Sequence, residues 1–351
     1  MSKPIAVLVA GSWGTALASV LAVNGHSVKL WTRSEEQAQD INYNRRNSRF
    51  LPDVELPEGL TATTSMEDAV RDAEAVVIVA PSAAMRDVAG QLQPLLRRET
   101  LLVHATKGFE AGTLKRMTEV LAAELPQTDP ERLVVLSGPS HAEEVVLRRP
   151  TTIVVASQHL EAAEAAQDLF MNSYFRVYTN PDVVGVEIGG ALKNIIALGA
   201  GLCDGLNFGD NAKAALLTRG LAEITRLGVA MGANPLTFLG LAGIGDLVVT
   251  CTSRHSRNWR AGSLLAQGLS LDEVLKQMGM VVEGVKTTAA AWRLAGKYGV
   301  SMPIAEQLHA VLFEGKAAHA ASLDLMGRVR THEIEEQALA SLFSGGEHGR
   351  L

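Results

Sequence analysis

Short apolar runs rich in β-branched residues recur along the first half of the chain. They read IAVLV, SVKLW, AVVIVA, TLLVHAT, RLVVLS, TIVVAS and FRVYT. Strands that are apolar on both faces have this composition when helices cover a parallel sheet. Between them lie mixed segments with helix-start signals, which open at Ser34 and Ser65. This alternation predicts an α/β fold with a doubly wound sheet and right-handed crossovers.

The pattern changes in the second half of the chain. From Val183 onward the sequence is rich in Ala, Leu and Gly at helical spacing, as in AKAALLTRGLAEITRLGVAMG, and contains no clear strand. We therefore predict two domains and a tail. They are a Rossmann-like nucleotide-binding domain over 1–182, an all-helical substrate-binding domain over 183–341, and a flexible tail over 342–351.

The composition is that of an ordinary soluble enzyme. The chain has 351 residues, of which 47% are hydrophobic and 20% charged, and a formal net charge of -6. This charge argues against nucleic acid or an anionic membrane as a partner. No signal sequence and no apolar run of roughly 18 residues is found, so no integral membrane association is expected. Two cysteines without C-x-x-C spacing favour a reducing, cytoplasmic location.

The first apolar run leads into a loop that resembles the dinucleotide fingerprint G-x-G-x-x-G. There the first glycine makes a tight turn, the second admits the pyrophosphate and the third lets helix and strand pack closely. Gly11 and Gly14 occupy the second and third positions, but Val9 stands at the first. We expect Val9 to end the strand with angles allowed for a β-branched residue. The helix that starts near Ser12 and Trp13 can then direct its amides at phosphate; a ligand-free helix–strand contact is the alternative.

The end of the second predicted strand bears on the choice of coenzyme. NAD-binding proteins usually place an acidic residue about 20 positions beyond the fingerprint, where it binds the ribose. Here the strand is followed by Arg33, and Glu35 and Glu36 fit the first turn of a helix capped by Ser34. Arg33 can bind a 2′-phosphate, although it could equally be a solvated surface residue. We predict NADP(H) as the preferred coenzyme, with NAD(H) also accepted.

Polar residues follow two of the strand-like runs. Lys107 comes after TLLVHAT, and Gly138, Pro139 and Ser140 come after RLVVLS. The carboxyl ends of strands are where ligands bind in open α/β sheets, although a loop lysine and a simple turn would give the same sequence. No metal site is predicted, because the histidines and cysteines lack ligand spacing. A nucleophilic serine is not indicated either, since G-x-S-x-G is absent.

In the helical half, Lys193 lies in the otherwise apolar run GGALKNIIALGAG. Burying an unpaired ammonium is costly, so this lysine is expected to reach water with its tip or to carry a shifted pKa. Further along come Asp246 and then Ser256, Arg257 and Asn258. Asp246 could also cap a helix, and the basic cluster could be a solvated face.

Several stretches together resemble one family. They are GSWGTALA, ATKG, SGPS, FRVY, GGALKNIIALGAG, GLAEITRLG, GDLVVTCTS-x-x-SRN and VVEG, in this order between about residue 5 and about residue 330. The chain thereby resembles bacterial-type NAD(P)-dependent glycerol-3-phosphate dehydrogenase. The resemblance implies a Rossmann-like domain, a helical domain and an active site between them. It also implies reversible reduction of dihydroxyacetone phosphate to sn-glycerol 3-phosphate, the precursor of glycerophospholipids. A homodimer is one of the oligomeric states left open.

The resemblance also assigns roles by position. Lys193 would be the proton donor or acceptor. Substrate contacts are implied for Lys107, Gly138, Ser140, Lys193, Asp246, Ser256, Arg257 and Asn258. Coenzyme contacts are implied for Gly11, Ser12, Trp13, Gly14, Arg33, Lys107, Ala142, Arg257, Val281 and Glu283. Val9 departs from the family, which typically has glycine there.

The chemistry agrees with these roles, because hydride addition to a ketone leaves an alkoxide that needs a proton. Lys193 could deliver it if an apolar setting and nearby Lys107 or Arg257 lowered its pKa. A β-hydroxyacid dehydrogenase is the nearest rival, but the run SRHSRN suits a phosphate better than a carboxylate. An NADP-binding sensor without catalysis is another. Lys193 and Asp246 argue against it, and Val9 argues mildly for it.

Overall fold

The structure is a computed structural model that describes residues 4–330 and 332–333. The chain divides into two compact units, Met1–Ala191 and Leu192–Leu351. This division falls inside a long helix, and the helix begins at Val183, where the sequence changes character. The predicted tail over 342–351 lies outside the described residues.

The first unit is built on one eight-stranded sheet. Its strands are β1 Ile5–Leu8, β2 Val28–Trp31, β3 Leu60–Thr63, β4 Ala75–Ile78, β5 Leu101–His104, β6 Leu133–Ser137, β7 Thr151–Ala156 and β8 Phe175–Asn180. They lie in the order β3-β2-β1-β4-β5-β6-β7-β8. Neighbouring strands are parallel, except that β6 and β7 are antiparallel. The strand order reverses between β1 and β4, which confirms the doubly wound fold and marks the position where such sheets bind ligands.

Helices cover the sheet of the first unit. They are α1 Ser12–Val23, α2 Glu35–Asn44, α3 Met66–Val70, α4 Met85–Leu92, α5 Met117–Glu124, α6 Ala142–Val146 and α7 Leu160–Phe170. Strand β1 shows why its sequence is apolar throughout. Ile5 and Val7 pack in one apolar cluster with residues of α1 and α7, whereas Ala6 and Leu8 pack in a second cluster with residues of α3 and α4. Both faces of the strand are therefore core.

The local signals in the sequence give the helix starts correctly. The Ser34 side chain accepts a hydrogen bond from the Gln37 amide, and Ser65 caps α3 in the same way. Strand β3 is not predicted by the sequence pattern. Its residues alternate between buried Leu60 and Ala62 and more exposed threonines at the edge of the sheet, so no continuous apolar run marks it. The antiparallel direction of β7 is also not predicted.

The rest of the described chain is helical. It comprises α8 Val183–Gly205, α9 Asp210–Ala230, α10 Asp246–Thr252, α11 Arg257–Ala266, α12 Leu271–Met278, α13 Glu283–Tyr298, α14 Pro303–Phe313 and α15 Ala318–Met326. Within residues 192–330 no strand is present. This confirms the prediction of a helical C-terminal domain.

The part of α8 that belongs to the second unit packs closely against α11. A Cβ placed on Gly262 of α11 would lie 2.0 Å from the Leu198 carbonyl oxygen, and one on Gly201 would lie 1.9 Å from the Trp259 oxygen. The two glycines therefore let α8 and α11 pack backbone against backbone. Among the described helices, only α8 has the length and apolar character to cross a membrane, but 94% of its apolar window is buried inside the protein. A buried core helix meets that test equally well.

A buried carboxylate lies where α9 meets the start of α14. Glu223 accepts hydrogen bonds from the amides of Ile304 (2.7 Å) and Ala305 (3.2 Å) and is 2% exposed. Burial raises its pKa to about 7, and these two amides offset only part of that effect. The carboxyl group is therefore more readily protonated in the folded than in the unfolded protein.

This raised pKa gives a pH-dependent stability. Between about pH 4.5 and pH 7 the folded state binds more protons than the unfolded one, so the free energy of unfolding should fall as pH rises through this window. The expected loss is about 3 kcal/mol. Urea denaturation at several pH values should show that Glu223→Gln removes this part of the slope. An identical slope in wild type and variant would contradict the raised pKa.

Candidate active site

The loop after β1 differs from its predicted conformation. Strand β1 ends at Leu8, and Val9 has φ 81°, in the left-handed region. A β-branched residue is strained there, whereas glycine is not. The expectation that Val9 ends the strand with ordinary angles is therefore wrong. The turn keeps the geometry that a glycine would allow, and its carbonyl accepts a hydrogen bond from the Gly11 amide at 2.9 Å.

The two remaining fingerprint glycines have different surroundings. A Cβ on Gly14 would lie 2.1 Å from the Val9 carbonyl oxygen, so only glycine lets α1 approach the strand. A Cβ on Gly11 would meet no atom within 4 Å, so its backbone faces open space. Helix α1 begins directly afterwards at Ser12, and the buried indole N–H of Trp13 has no partner among the described residues. Open space, free helix amides and an orphaned donor fit the phosphates and amide groups of a dinucleotide.

Two side chains from the following segment hold this loop in place. Gln37 Nε2 and Asn47 Nδ2 both donate to the Ala10 carbonyl oxygen, at 2.6 and 3.0 Å. Asn47 is fully buried and also donates to Thr15 Oγ1 on α1 at 2.7 Å. These residues support the loop without forming a recognisable motif, so sequence reasoning missed them.

The Arg33 side chain, which is predicted to select the coenzyme, is exposed to solvent. Arg33 follows β2 directly, is exposed, and makes no hydrogen bond or ion pair with another described residue. Glu35 and Glu36 lie in the first turn of α2 as expected. Glu35 and Glu36 therefore interact favourably with the dipole of α2. The Arg33 guanidinium is available to an external anion.

The strained turn gives a testable prediction about stability. Val9→Gly should raise the free energy of unfolding, because it removes a β-branched side chain from a left-handed conformation that costs about 1–3 kcal/mol. The greater flexibility of glycine in the unfolded chain and the lost packing of the valine offset part of this gain. We expect a net gain of about 1 kcal/mol, measured by urea denaturation. A loss of 1 kcal/mol or more would show that Val9 is not strained.

Three predicted substrate residues converge at the ends of β5 and β6. Lys107 Nζ donates to the Gly138 carbonyl oxygen at 3.1 Å, and Ser140 Oγ donates to the same oxygen at 3.0 Å. Gly138 has φ 125°, and a Cβ there would lie 3.0 Å from Ile153 Cα, so the turn requires glycine. Ala142 is buried and begins α6 shortly after this turn.

In the second unit, Lys193 forms a buried ion pair with Asp246. The lysine is 6% exposed and the aspartate 1%. The ammonium also donates to Thr250 Oγ1 at 2.7 Å, and that hydroxyl donates to the Asp246 carbonyl oxygen at 2.6 Å. Lys193 is thus neither extended to water nor left without a counter-charge. The carboxylate stabilises the charged ammonium, and this differs from the cationic surroundings expected from the sequence.

The basic cluster at the start of α11 divides into exposed and buried parts. Ser256 caps the helix by accepting from the Trp259 amide at 3.2 Å, and Arg257 is exposed at the first helical position. Asn258 is buried; its Nδ2 donates to Asn194 at 2.8 Å, and its Oδ1 accepts from the Gly284 amide at 2.9 Å. Asn258 therefore joins α8, α11 and the start of α13.

The last two predicted coenzyme residues lie beside that junction. Val281 is 37% exposed in the segment before α13, and Glu283 is the first residue of α13.

Asp246 does not cap its helix, because it follows the N-cap position as the first residue of α10. Thr250 was missed, although it lies four residues after Asp246 and so on the same helix face. In the described part of the chain, no group of three or more His, Cys, Asp or Glu residues could hold a metal ion.

A doubly wound sheet whose first loop resembles the dinucleotide fingerprint, followed along the chain by a helical unit with a buried lysine–aspartate pair, is typical of nicotinamide-dependent dehydrogenases. The family models for the NAD-dependent glycerol-3-phosphate dehydrogenase N-terminus and C-terminus match residues 4–163 and 182–322. The chain belongs to this family.

Named relatives agree with this assignment. Glycerol-3-phosphate dehydrogenase [NAD(P)+] of Lysinibacillus sphaericus (strain C3-41) is 58% identical over 334 residues, 95% of this chain and 99% of that protein. The protein of the same name from Bacillus mycoides (strain KBAB4) is 59% identical over 331 residues, 94% of this chain and 97% of that protein. The crystal structure of glycerol-3-phosphate dehydrogenase from Coxiella burnetii has a TM-score of 0.89 and 39% identity, covering 93% of this chain and 99% of that chain.

Proposed function

We propose that this protein catalyses the reversible NAD(P)H-dependent reduction of dihydroxyacetone phosphate to sn-glycerol 3-phosphate and so supplies glycerophospholipid synthesis. The observation that carries this proposal is the buried Lys193 ammonium, held by Asp246 and Thr250. It occurs in a chain that is 58% and 59% identical to two curated relatives that bear the name of this enzyme.

When bound, the reduced nicotinamide supplies the hydride that adds to the carbonyl carbon. Lys193 donates a proton to the oxygen as negative charge develops on it, and in the reverse direction it takes the proton back. Asp246 pairs with the ammonium, and Thr250 accepts a second hydrogen bond from it and so fixes its direction. A charged donor held in a buried position loses little free energy to reorganisation during the reaction.

We propose that the remaining polar residues bind the substrate. Lys107 and Ser140 supply side-chain donors at the carboxyl ends of β5 and β6, where Gly138 forms the turn. Ser256, Arg257 and Asn258 supply further polar groups at the start of α11. A phosphate group is recognised by charge-assisted hydrogen bonds, and the planar guanidinium of Arg257 can form two of them. Helix α11 begins at Arg257, so its first amides can add to this anion site.

The coenzyme is assigned to the loop after β1. Gly11 and Gly14 leave room for the pyrophosphate, while Ser12 and Trp13 begin the helix that faces it. The other coenzyme contacts that we propose are Arg33, Lys107, Ala142, Arg257, Val281 and Glu283. NADP(H) is the preferred coenzyme in this proposal, because Arg33 is exposed and forms no ion pair with another described residue. NAD(H) is also accepted.

The proposed activity is tested by following NADPH absorbance with dihydroxyacetone phosphate and identifying the product. We expect NADPH oxidation with formation of sn-glycerol 3-phosphate. Turnover of short 3-hydroxy acids but not of the phosphate ester would instead support a β-hydroxyacid dehydrogenase. Coenzyme binding without turnover would support a sensor.

The coenzyme preference gives a separate prediction. Arg33→Ala should lower kcat/KM for NADPH by about 10- to 100-fold, because it removes charge-assisted hydrogen bonds to the 2′-phosphate. The value for NADH should stay within about twofold, since NADH lacks that phosphate. Arg132→Ala is the matched control. Arg132 is also exposed, but it precedes the amino end of β6, whereas Arg33 follows the carboxyl end of β2. An unchanged NADPH/NADH ratio in Arg33→Ala would rule out Arg33 as the selective residue.

We also propose that the protein acts in the cytoplasm and not on nucleic acid or within a membrane. Both cysteines are free thiols, Cys251 buried and Cys203 partly exposed, as in proteins of a reducing compartment. The net charge of -6 opposes binding to nucleic acid. Sedimentation analysis decides between a monomer and the homodimer that the sequence leaves open.

A further inference from the structure

A second buried charge lies on α8, outside the residues assigned to substrate or coenzyme. Glu187 is 7% exposed and belongs to the first unit. Its carboxylate accepts hydrogen bonds from Arg116 Nη1 at 2.6 Å, from the Thr118 amide at 2.8 Å and from the Thr118 hydroxyl. His104 Nε2 lies 3.4 Å from the same carboxylate.

These contacts come from both ends of a single segment. His104 is the last residue of β5, Arg116 is the N-cap of α5, and Thr118 lies in the first turn of α5. The segment between them, residues 105–115, carries Lys107. One carboxylate therefore holds the α5 end of the segment that presents Lys107 by hydrogen bonds, and lies 3.4 Å from His104 at its β5 end.

The same face of α8 also contacts Lys107 directly. Gly190 lies three residues after Glu187 and so on the same side of the helix. A Cβ at Gly190 would lie 3.6 Å from Lys107 Cγ and 2.7 Å from Ser137 Oγ. The helix backbone is thus packed against the stem of Lys107 and the end of β6, one helical turn after Glu187.

Stability alone does not explain this arrangement. Replacing buried ion pairs by well-packed apolar residues is often neutral or stabilising, whereas removal of one partner is harmful. Although burial disfavours ionisation of Glu187, the neighbouring His104, Arg116 and Thr118 hold its pKa below the ordinary value. A carboxylate kept charged in the interior, and directed at one loop, is suited to fixing a position.

We propose that Glu187 is a positioning residue that fixes the 105–115 segment, and with it the Lys107 ammonium, against helix α8. Its consequence for turnover rests on the proposed function, in which Lys107 contacts the phosphorylated substrate. Loss of the Glu187 charge would let the segment shift and would move Lys107 away from the Gly138 carbonyl.

The test compares three variants of the full-length protein. Glu187→Gln removes the charge with little change of volume, and Thr118→Val removes one donor while leaving the carboxylate. Glu223→Gln is the matched control, because Glu223 is also a buried carboxylate that accepts from two backbone amides but lies in the second unit, far along the chain from these residues. Thermal unfolding, steady-state kinetics and amide hydrogen exchange are measured for each variant.

For Glu187→Gln we expect a roughly tenfold or greater rise in KM for dihydroxyacetone phosphate and a lower kcat. The rise in Kd for NADPH should be smaller, because Lys107 is only one of several proposed coenzyme contacts. Hydrogen exchange should rise at least about tenfold in residues 105–118 but not in β1 or β4. Thr118→Val should show the same changes to a smaller extent. Glu223→Gln should alter the melting temperature only.

Hydrogen exchange separates this proposal from the proposed function, because it does not depend on turnover. Suppose that Glu187→Gln exchanges faster in residues 105–118 but the wild-type protein does not reduce dihydroxyacetone phosphate. That result would support the positioning role and refute the proposed activity. Unchanged exchange in Glu187→Gln and Thr118→Val would overturn the positioning role. Faster exchange with kcat and KM unchanged in an active enzyme would overturn it as well. If Glu187→Gln does not fold, Thr118→Val alone decides by the same criteria.

Discussion

Lys193→Met is expected to lower kcat by about 10²- to 10⁴-fold, the usual contribution of a positioned general acid. The variant keeps an unbranched side chain in the buried site but has no proton to give to the alkoxide oxygen. NADPH binding should remain measurable, because the loop after β1 belongs to the other unit. Single-turnover consumption of NADPH with saturating dihydroxyacetone phosphate measures the effect on chemistry separately from product release.

The control for this experiment is the double variant Lys193→Met/Asp246→Asn. In the single variant Asp246 keeps a buried charge without its partner, which can destabilise a protein by about 3–5 kcal/mol. The double variant removes that charge and should regain stability but not activity. If either folded variant turned over within tenfold of wild type, Lys193 could not be the proton donor.

The architecture could be predicted from the sequence because its signals are local. Central strands such as β1 are buried on both faces, so their residues are apolar without interruption, and serine caps mark the starts of α2 and α3. Strand β3 was missed because only alternate residues of an edge strand are buried. The antiparallel pairing of β7 depends on the path of the chain between strands, which periodicity does not report.

The site residues could be found in the sequence more readily than their partners could. Lys193 is conspicuous because a charge rarely lies in so apolar a run, but its pairing with Asp246 depends on how α8 and α10 pack. Glu187 lies two residues before that run, and its hydrogen-bond partners come from the start of α5, about 70 residues earlier in the chain. The left-handed angle of Val9 could not be predicted from its residue type, since the type argues against it. A charged residue in an apolar run can be recognised from the local sequence, whereas the partner that balances its charge is set by the tertiary structure.

Arg257→Ala is expected to raise KM for dihydroxyacetone phosphate by about 10- to 100-fold, with a smaller effect on kcat. The guanidinium is exposed at the first position of α11, where the helix amides also favour an anion, and a bidentate contact with phosphate contributes about 1.5–3 kcal/mol. This contact exists before and during the reaction, so its loss weakens the ground state and the transition state alike. Steady-state kinetics at fixed ionic strength measures both parameters.

Arg260→Ala provides the matched control, because Arg260 is exposed on the same helix, one turn away from the N-terminus. If general positive charge on α11 attracted the substrate, the two variants would raise KM equally and salt would abolish the difference from wild type. If Arg257 binds the phosphate directly, only Arg257→Ala should raise KM at high salt. An unchanged KM in Arg257→Ala would remove this residue from the substrate site and would leave phosphate recognition to Lys107, Ser140 and the amides of α11.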